Sequence, residues 1–216
     1  MVNSSAVAQS ERHAQLAAAL TKVNNRIAAA CAATDRDPAE ITMIAVTKTY
    51  PVSDVLLLAG LGVRDIGENR DQEAAPKSAA VTAAGVDVRW HFVGRLQRNK
   101  CRSVAGYAEM VHSVDSVRLA TALGDAALRN RDRPLDVLVQ VSLDGNPERG
   151  GAVAGSDDVE RGLAPVAAAI AGQEQLRLAG VMAVAPLDWE VEAAFARLAE
   201  ISGRLRVEYP DATVIS

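Results

Sequence analysis

Residues 41–47 read ITMIAVT, an apolar run with no alternation of polar and apolar positions. A strand with one solvated face alternates; a strand covered on both faces does not. The run therefore predicts a parallel strand with both faces buried. The chain continues TKTYPVS over residues 47–53, without a glycine. A doubly wound dinucleotide fold carries its glycine fingerprint at this first turn, so that fold lacks its signature here.

Upstream, residues 9–33 read as one amphipathic helix, with Leu16, Leu20, Val23, Ile27 and Ala30 spaced by four, three, four and three. Residues 34–40 (TDRDPAE) form a loop, where Pro38 stops any helix. Downstream a unit of strand, polar turn and helix repeats. The expected strands are residues 63–66, 88–93, 110–112 (very short), 135–142, 176–182 and 213–215. The expected helices are residues 52–61, 72–84, 96–107, 115–129, 157–171 and 188–207, the last burying Val191, Phe195, Leu198, Ile201 and Leu205. Asp144-Gly145-Asn146-Pro147 is a turn signal opening a glycine-rich loop over residues 145–155.

Strands alternating with helices give a parallel sheet with right-handed crossovers. The expected fold class is α/β: a (β/α)8 TIM barrel with an extra N-terminal helix. A barrel of this kind needs eight strands and about 250 residues. The sequence supplies seven expected strands in 216 residues. The expectation is one domain over residues 1–216, with the barrel starting near residue 41 and its last strand and helix missing from the sequence.

Composition narrows the function classes. Lys and Arg number 23 against 27 Asp and Glu, a formal net charge of −4. With 49% apolar and 23% charged residues the chain has the composition of a globular protein, not a disordered one. No basic tract exists to displace counterions from nucleic acid. No run of 18 apolar residues spans a membrane. The N-terminal MVNSSAVAQSER lacks the basic and apolar regions of a signal peptide, so the chain is expected to be cytoplasmic. Cys31 and Cys101 have no CxxC partner, and with three histidines they form no metal-ligand spacing; two inert thiols are expected.

In such barrels the chemistry sits where strands end. Lys48 follows the decisive strand. An ammonium without a partner there is costly to bury and becomes a nucleophilic amine able to form a Schiff base; the alternative is a lysine that snorkels into solvent at the rim. Glu68 and Arg70 read as a rim salt-bridge cluster, with Asn69 between them as a neutral donor and acceptor. His91, between Trp90 and Phe92, and His112 read as satisfied core histidines. Gly150-Gly151 supplies backbone that could approach an anion.

Taken together, residues 44–51 (IAVTKTYP), 67–73 (GENRDQE), 90–100 (WHFVGRLQRNK), 112–116 (HSVDS), Gln140-Val141 and 178–182 (LAGVM) resemble the YggS/PROSC family of pyridoxal phosphate homeostasis proteins. The resemblance implies a barrel similar to the N-terminal domain of alanine racemase, with pyridoxal 5'-phosphate held covalently as an aldimine on Lys48. It places Asn69 near the cofactor ring, His91 and Met182 in the same shell, and Ser216 at the start of the family's phosphate-cradling segment. Ser142 stands where many members have asparagine, and Arg149 near a position often held by lysine. No catalytic residue and no metal ligand is implied.

Three functions compete. A racemase, the alternative of fold type III, needs two acid/base groups on opposite faces of the α-carbon, and alanine racemase-like enzymes take the second from an additional β-domain. A Schiff-base aldolase would place a helper near Lys48, but Lys77 and Lys100 fall on expected helices. The expected function is therefore binding of pyridoxal phosphate for intracellular buffering or delivery, without substrate turnover. The implied partners are the cofactor and pyridoxal-dependent apoenzymes as recipients, and the implied state is a monomer.

Overall fold

Helix α1 (Ser4–Ala33) begins earlier than the periodicity suggests, because nothing in the alanine-rich stretch before residue 9 breaks it. The computed structural model describes residues 4–146 and 149–216; Met1–Asn3 of the leader reading and Pro147 of the turn reading lie outside the described residues. Leu16 and Leu20 pack on a cluster formed by Val55, Leu58, Ile66 and Trp90. The Arg12 guanidinium joins α1 to α2 (Val52–Gly60), donating to Asp54 at 2.5 Å and lying 5.4 Å over the Tyr50 ring. After α1, Asp37 caps a short 3-10 turn, Pro38–Glu40, by accepting from the Ala39 N–H at 2.9 Å.

The sheet comprises β1 (Ala45–Val46), β2 (Asp65–Glu68), β3 (Arg89–Phe92), β4 (Ala108–Val114), β5 (Leu135–Ser142), β7 (Leu176–Met182) and β8 (Val214–Ile215), in that spatial order and all parallel. A short β6 (Ala152–Val153), inside the glycine-rich loop, pairs with the end of β5. Between strands run α3 (Asp71–Ala83), α4 (Cys101–Tyr107), α5 (Val117–Asn130), α6 (Leu163–Ala171) and α7 (Val191–Glu208). Spatial order equal to chain order is the winding of a TIM-type barrel, and the sheet curls accordingly. Among the described residues, β1 and β8 are not paired with each other.

Period two along each strand separates two cores. Val137, Val139, Val141, Leu178 and Val181 face the helices, in a large cluster with α4 to α7. Leu138, Ala179, Met182 and Met110 form a smaller cluster on the inner side. The phase of β7 depends on a bulge: Val137 pairs with Leu178 but Leu138 with Gly180, so one residue is extra. Gly180 takes φ +153°, and a Cβ there would lie 1.9 Å from the Val214 carbonyl oxygen. Only glycine lets β8 approach that closely.

Four expectations are corrected. The run over residues 41–47 yields a strand of two residues, and Val46 is 46% exposed, because β1 is an edge strand whose inner side is not covered. β4 has seven residues, the polar His112 and Ser113 being buried within it and not at its end. The helix expected over residues 157–171 starts at Leu163; the Asp158 carboxylate accepts from the Glu160 and Arg161 N–H groups and holds a turn instead. On α7, Val191 and Phe195 are exposed, and the buried face is Ala194, Leu198, Ile201, Ser202 and Leu205.

Candidate functional site

The turn that carries Lys48 is built on a buried ion pair. Glu68, the outward residue at the end of β2, is fully buried. Its Oε1 accepts from the Thr47 hydroxyl at 2.6 Å and from Lys77 Nζ on α3 at 2.5 Å. Lys77 also donates to the Thr47 carbonyl at 2.9 Å. The rim reading of Glu68 is thereby overturned; the rim pair is Arg70 with Glu73, at 3.5 Å. The Tyr50 N–H donates to the Thr47 carbonyl at 3.0 Å, so residues 47–50 form a β-turn with Lys48 at its second position and Thr49 at its third. Thr49 takes φ +68°. For a β-branched residue this is a strained conformation of the kind that concentrates at functional sites.

Lys48 is exposed, and its amine makes no hydrogen bond or ion pair among the described residues. Its amine is thus available, as in the rim reading, and the desolvation expected at the end of a fully buried strand is absent. Ile44 and Val46 define the inner side of β1: a Cβ on Gly67 would meet the Cγ2 atoms of both at 3.2 Å. Asn69 follows β2, its backbone pressed against Gly94, where a Cβ would lie 2.1 Å from the Asn69 carbonyl oxygen. This explains the glycine of WHFVG. Asn69 opens onto a cavity of about 860 Å3 lined also by Arg95, Arg98 and Arg161.

Inside the sheet lies a second cavity, of about 890 Å3, lined among others by Ile44, His91, His112 and Ser216. A hydrogen-bonded relay crosses it. The Arg89 guanidinium grips Asp65 with Nε at 2.7 Å and Nη2 at 2.5 Å. Asp65 Oδ1 lies 2.9 Å from His91 Nε2, His91 Nδ1 lies 2.9 Å from His112 Nε2, and His112 Nδ1 lies 3.0 Å from Ser216 Oγ. Burial lowers the pKa of both imidazoles, His112 to about 3, so both are neutral at pH 7. Asp65 is held below the usual carboxylate range by Arg89 and His91, against the opposing effect of its burial. Each neutral imidazole has one N–H. Asp65 can only accept, so His91 donates from Nε2; His112 donates from Nε2 to His91 Nδ1; and the Ser216 hydroxyl donates to His112 Nδ1.

His91 and Ser216 are therefore joined through His112, which sequence reasoning had treated as a core histidine. The core reading of the two histidines holds: they are buried and satisfied, by one another and by Asp65 and Ser216. Met182 sits with Leu138 and Ala179 in the inner cluster, paired in register with Gln140. Lys48 and Asn69 follow the adjacent strands β1 and β2. The Gly150-Gly151 pair is not an anion cradle: Gly151 lies on the end of β5, where a Cβ would meet the Ser142 nitrogen at 2.5 Å. Arg149 donates to the Val184 and Ala185 carbonyls at 3.2 and 3.1 Å. Cys31 and Cys101 are free and buried, and burial pushes the Cys101 thiol up to about 11.

The residues missed were Asp65, Arg89 and Lys77. Period two offered a signal for the first two, since Asp65, Gly67, Arg89 and His91 share the inner face. Nothing local marked Lys77 as the partner of Glu68.

Comparison with known proteins gives the setting. Residues 9–216 match the family model described as alanine racemase, N-terminal domain. A pyridoxal phosphate homeostasis protein of Mycobacterium tuberculosis is 40% identical over 220 residues, covering 95% of this chain and 84% of that protein. The protein of that name from Escherichia coli K12 is 36% identical over 193 residues, covering 88% and 77%. The structure of PipY from Synechococcus elongatus PCC7942 with PLP bound superposes with a TM-score of 0.67 at 28% identity, over 87% of this chain and 85% of that one. Alanine racemase from Corynebacterium glutamicum, at 13% identity and a TM-score of 0.59 over 80% of this chain, shares the fold. The parallel winding is shared with these structures, and the chain belongs to the alanine racemase N-terminal domain family, alongside the pyridoxal phosphate homeostasis proteins.

Proposed function

We propose that this protein binds pyridoxal 5'-phosphate through Lys48 and holds it for intracellular buffering and delivery, without turning over a substrate. The observation that carries this reading is the free Lys48 amine on a turn fixed from below by the buried Thr47–Glu68–Lys77 network. The donor types suit the cofactor, with Asn69 and Ser216 on different cavities: a primary amine for an aldehyde, a neutral amide at Asn69, an apolar side chain at Met182, and a hydroxyl at Ser216 for a phosphate. When bound, pyridoxal phosphate supplies an electrophilic aldehyde carbon and an electron-withdrawing ring. Lys48 would hold that carbon and Asn69 would border the ring, while His91, through His112, orients Ser216. Met182, with Leu138 and Ala179, supplies a buried apolar surface on the inner side. The relatives' name and the PLP-bound PipY structure support the same reading.

Racemisation is less well served. It needs two free acid/base groups facing opposite sides of one carbon, whereas His91 and His112 are bonded to each other and engaged at both nitrogens. The proposal further takes residues 1–216 as one functional unit, monomeric and cytoplasmic, with pyridoxal-dependent apoenzymes as recipients. It is compatible with the described residues, in which no helix is long and apolar enough to cross a membrane.

The test is the absorbance spectrum of the protein loaded with pyridoxal phosphate, before and after borohydride, followed by peptide mass mapping. The expected result is a visible band lost on reduction, with the pyridoxyl mass on Lys48 and no band in Lys48→Ala. A colourless protein, or a label on another lysine, would overturn the reading.

A further inference from the structure

The relay fixes where hydrogens lie, and this has a consequence for any anion at Ser216. The hydroxyl has one proton, and it is given to His112 Nδ1. Its outward lone pairs then face a phosphate that, as a dianion, can only accept. Turning the hydroxyl toward the phosphate would strand His112 Nδ1, a buried acceptor, without a partner. The relay offers another route. His112 passes its Nε2 proton to His91 Nδ1 and takes the hydroxyl proton on Nδ1, and solvent returns one proton to Ser216 Oγ. His91 is then an imidazolium between Asp65 and His112, donating to both, and Ser216 donates to the phosphate. The balance is one proton taken up.

We infer that phosphate binding at Ser216 is coupled to the uptake of one proton by the Asp65–His91–His112 relay. The inference rests on the proposed function for the place of the phosphate, and on hydrogen-bond geometry for the proton. Asp65 on β2 is the carboxylate that accepts the resulting imidazolium, already paired with Arg89 on β3. Glu109 on β4 acts on His91 in the same direction, whereas Arg89 opposes. Asp136 on β5 lines the same cavity and is paired with Arg177 on β7, and Arg36 and Glu40 complete its charged lining. Asp65, His91 and His112 are positioning residues in this scheme, acting through Ser216.

Pyridoxine 5'-phosphate is the probe, because it lacks the aldehyde and leaves Lys48 out of the titration. Its binding is measured by calorimetry at pH 8 in buffers of different ionisation enthalpy, where a phosphate ester with a second pKa of about 6 is a dianion. The expected result is about one proton taken up per molecule bound, with Kd rising about tenfold per pH unit from 7 to 9. In His112→Asn the amide N–H donates to Ser216 without taking a proton, so the uptake falls to near zero and the pH dependence flattens. Nitrogen NMR of the unmodified protein gives a second measure. Both histidines should be Nε2–H tautomers when free, and His91 should gain an Nδ1 proton in the complex.

Binding without proton uptake, uptake unchanged in His112→Asn, or an Nδ1–H tautomer in the free protein would each overturn the inference. Failure of pyridoxine phosphate to bind while pyridoxal phosphate is still captured on Lys48 overturns it alone. Failure of both overturns the proposed function as well.

Discussion

His91 and His112 share a 2.9 Å hydrogen bond between Nδ1 and Nε2, their rings 5.2 Å apart and inclined at 64°. Two imidazoles so joined in a buried layer can both be neutral, but they cannot both take a proton without breaking that bond.

This makes the fold acid-sensitive. The His112 pKa falls from 6.5 in the unfolded chain to about 3 in the folded one, through burial and the neighbouring His91. The unfolded state therefore binds the extra proton first, so stability is complete above pH 6.5 and is lost as pH falls toward 3. The slope is about 1.4 kcal/mol per pH unit for this one group. Urea denaturation at pH 7.5, 6.0 and 5.0 checks it: the unfolding free energy should drop across the series, and drop less in His112→Asn. A flat profile in the unmodified protein would contradict the assignment.

Removing Lys77 should unsettle Lys48 without touching it. Lys77→Ala leaves the Glu68 carboxylate buried without its cation and the Thr47 carbonyl with the Tyr50 N–H alone. The expected loss is about 3–5 kcal/mol. Replacing both partners, in Glu68→Gln with Lys77→Met, should recover much of that stability. Thermal melts of the single and double variants make the comparison; equal losses would show that the ion pair is not the cause.

Thr49 holds a left-handed conformation next to Lys48. Thr49→Gly removes the clash of the branched side chain and should raise stability by about 1 kcal/mol. The same substitution loosens the turn, so capture of pyridoxal phosphate, followed by stopped-flow absorbance, should be slower. A variant both less stable and unchanged in capture rate would count against strain at this turn.

Gly180→Ala should detach β8. The added methyl group meets the Val214 backbone, and the φ of +153° disfavours any side chain. A cost of about 2–3 kcal/mol is expected. Hydrogen exchange should show the loss at the Ser216 N–H, which donates to the Val181 carbonyl, and leave β2 and β3 protected.

The sequence made the winding legible because each strand and helix announces itself locally. Residues 135–142 and 176–182 were placed to the residue as β5 and β7. What failed were statements about surroundings. Apolar character at residues 41–47 implied cover on both faces, yet whether Val46 is covered depends on a neighbour of β1, which local sequence does not name. Val191 and Phe195 sit at helical spacing with Leu198, yet α7 is buried only where β7 and β8 lie beneath it. The site divides similarly. Lys48, Asn69, His91, Met182 and Ser216 are candidates that motif resemblance alone supplies. The bond from His112 to Ser216 spans 104 residues and the Glu68–Lys77 pair joins a strand to the next helix; both are decided by tertiary closure.

Those separations also set an order of assembly. The bonds from Asp65 to His91 and from His91 to His112 span 26 and 21 residues, about one strand–helix unit each. They can form as soon as three consecutive strands have zipped together. The bond to Ser216 must wait for every intervening unit, because loop closure over so long a segment gains contacts only after the sheet has curled. The hydroxyl is thus the last part of the relay to arrive, and a phosphate bound there would selectively stabilise the final step of folding. On the proposed function, this reserves loading for molecules whose sheet is already in place.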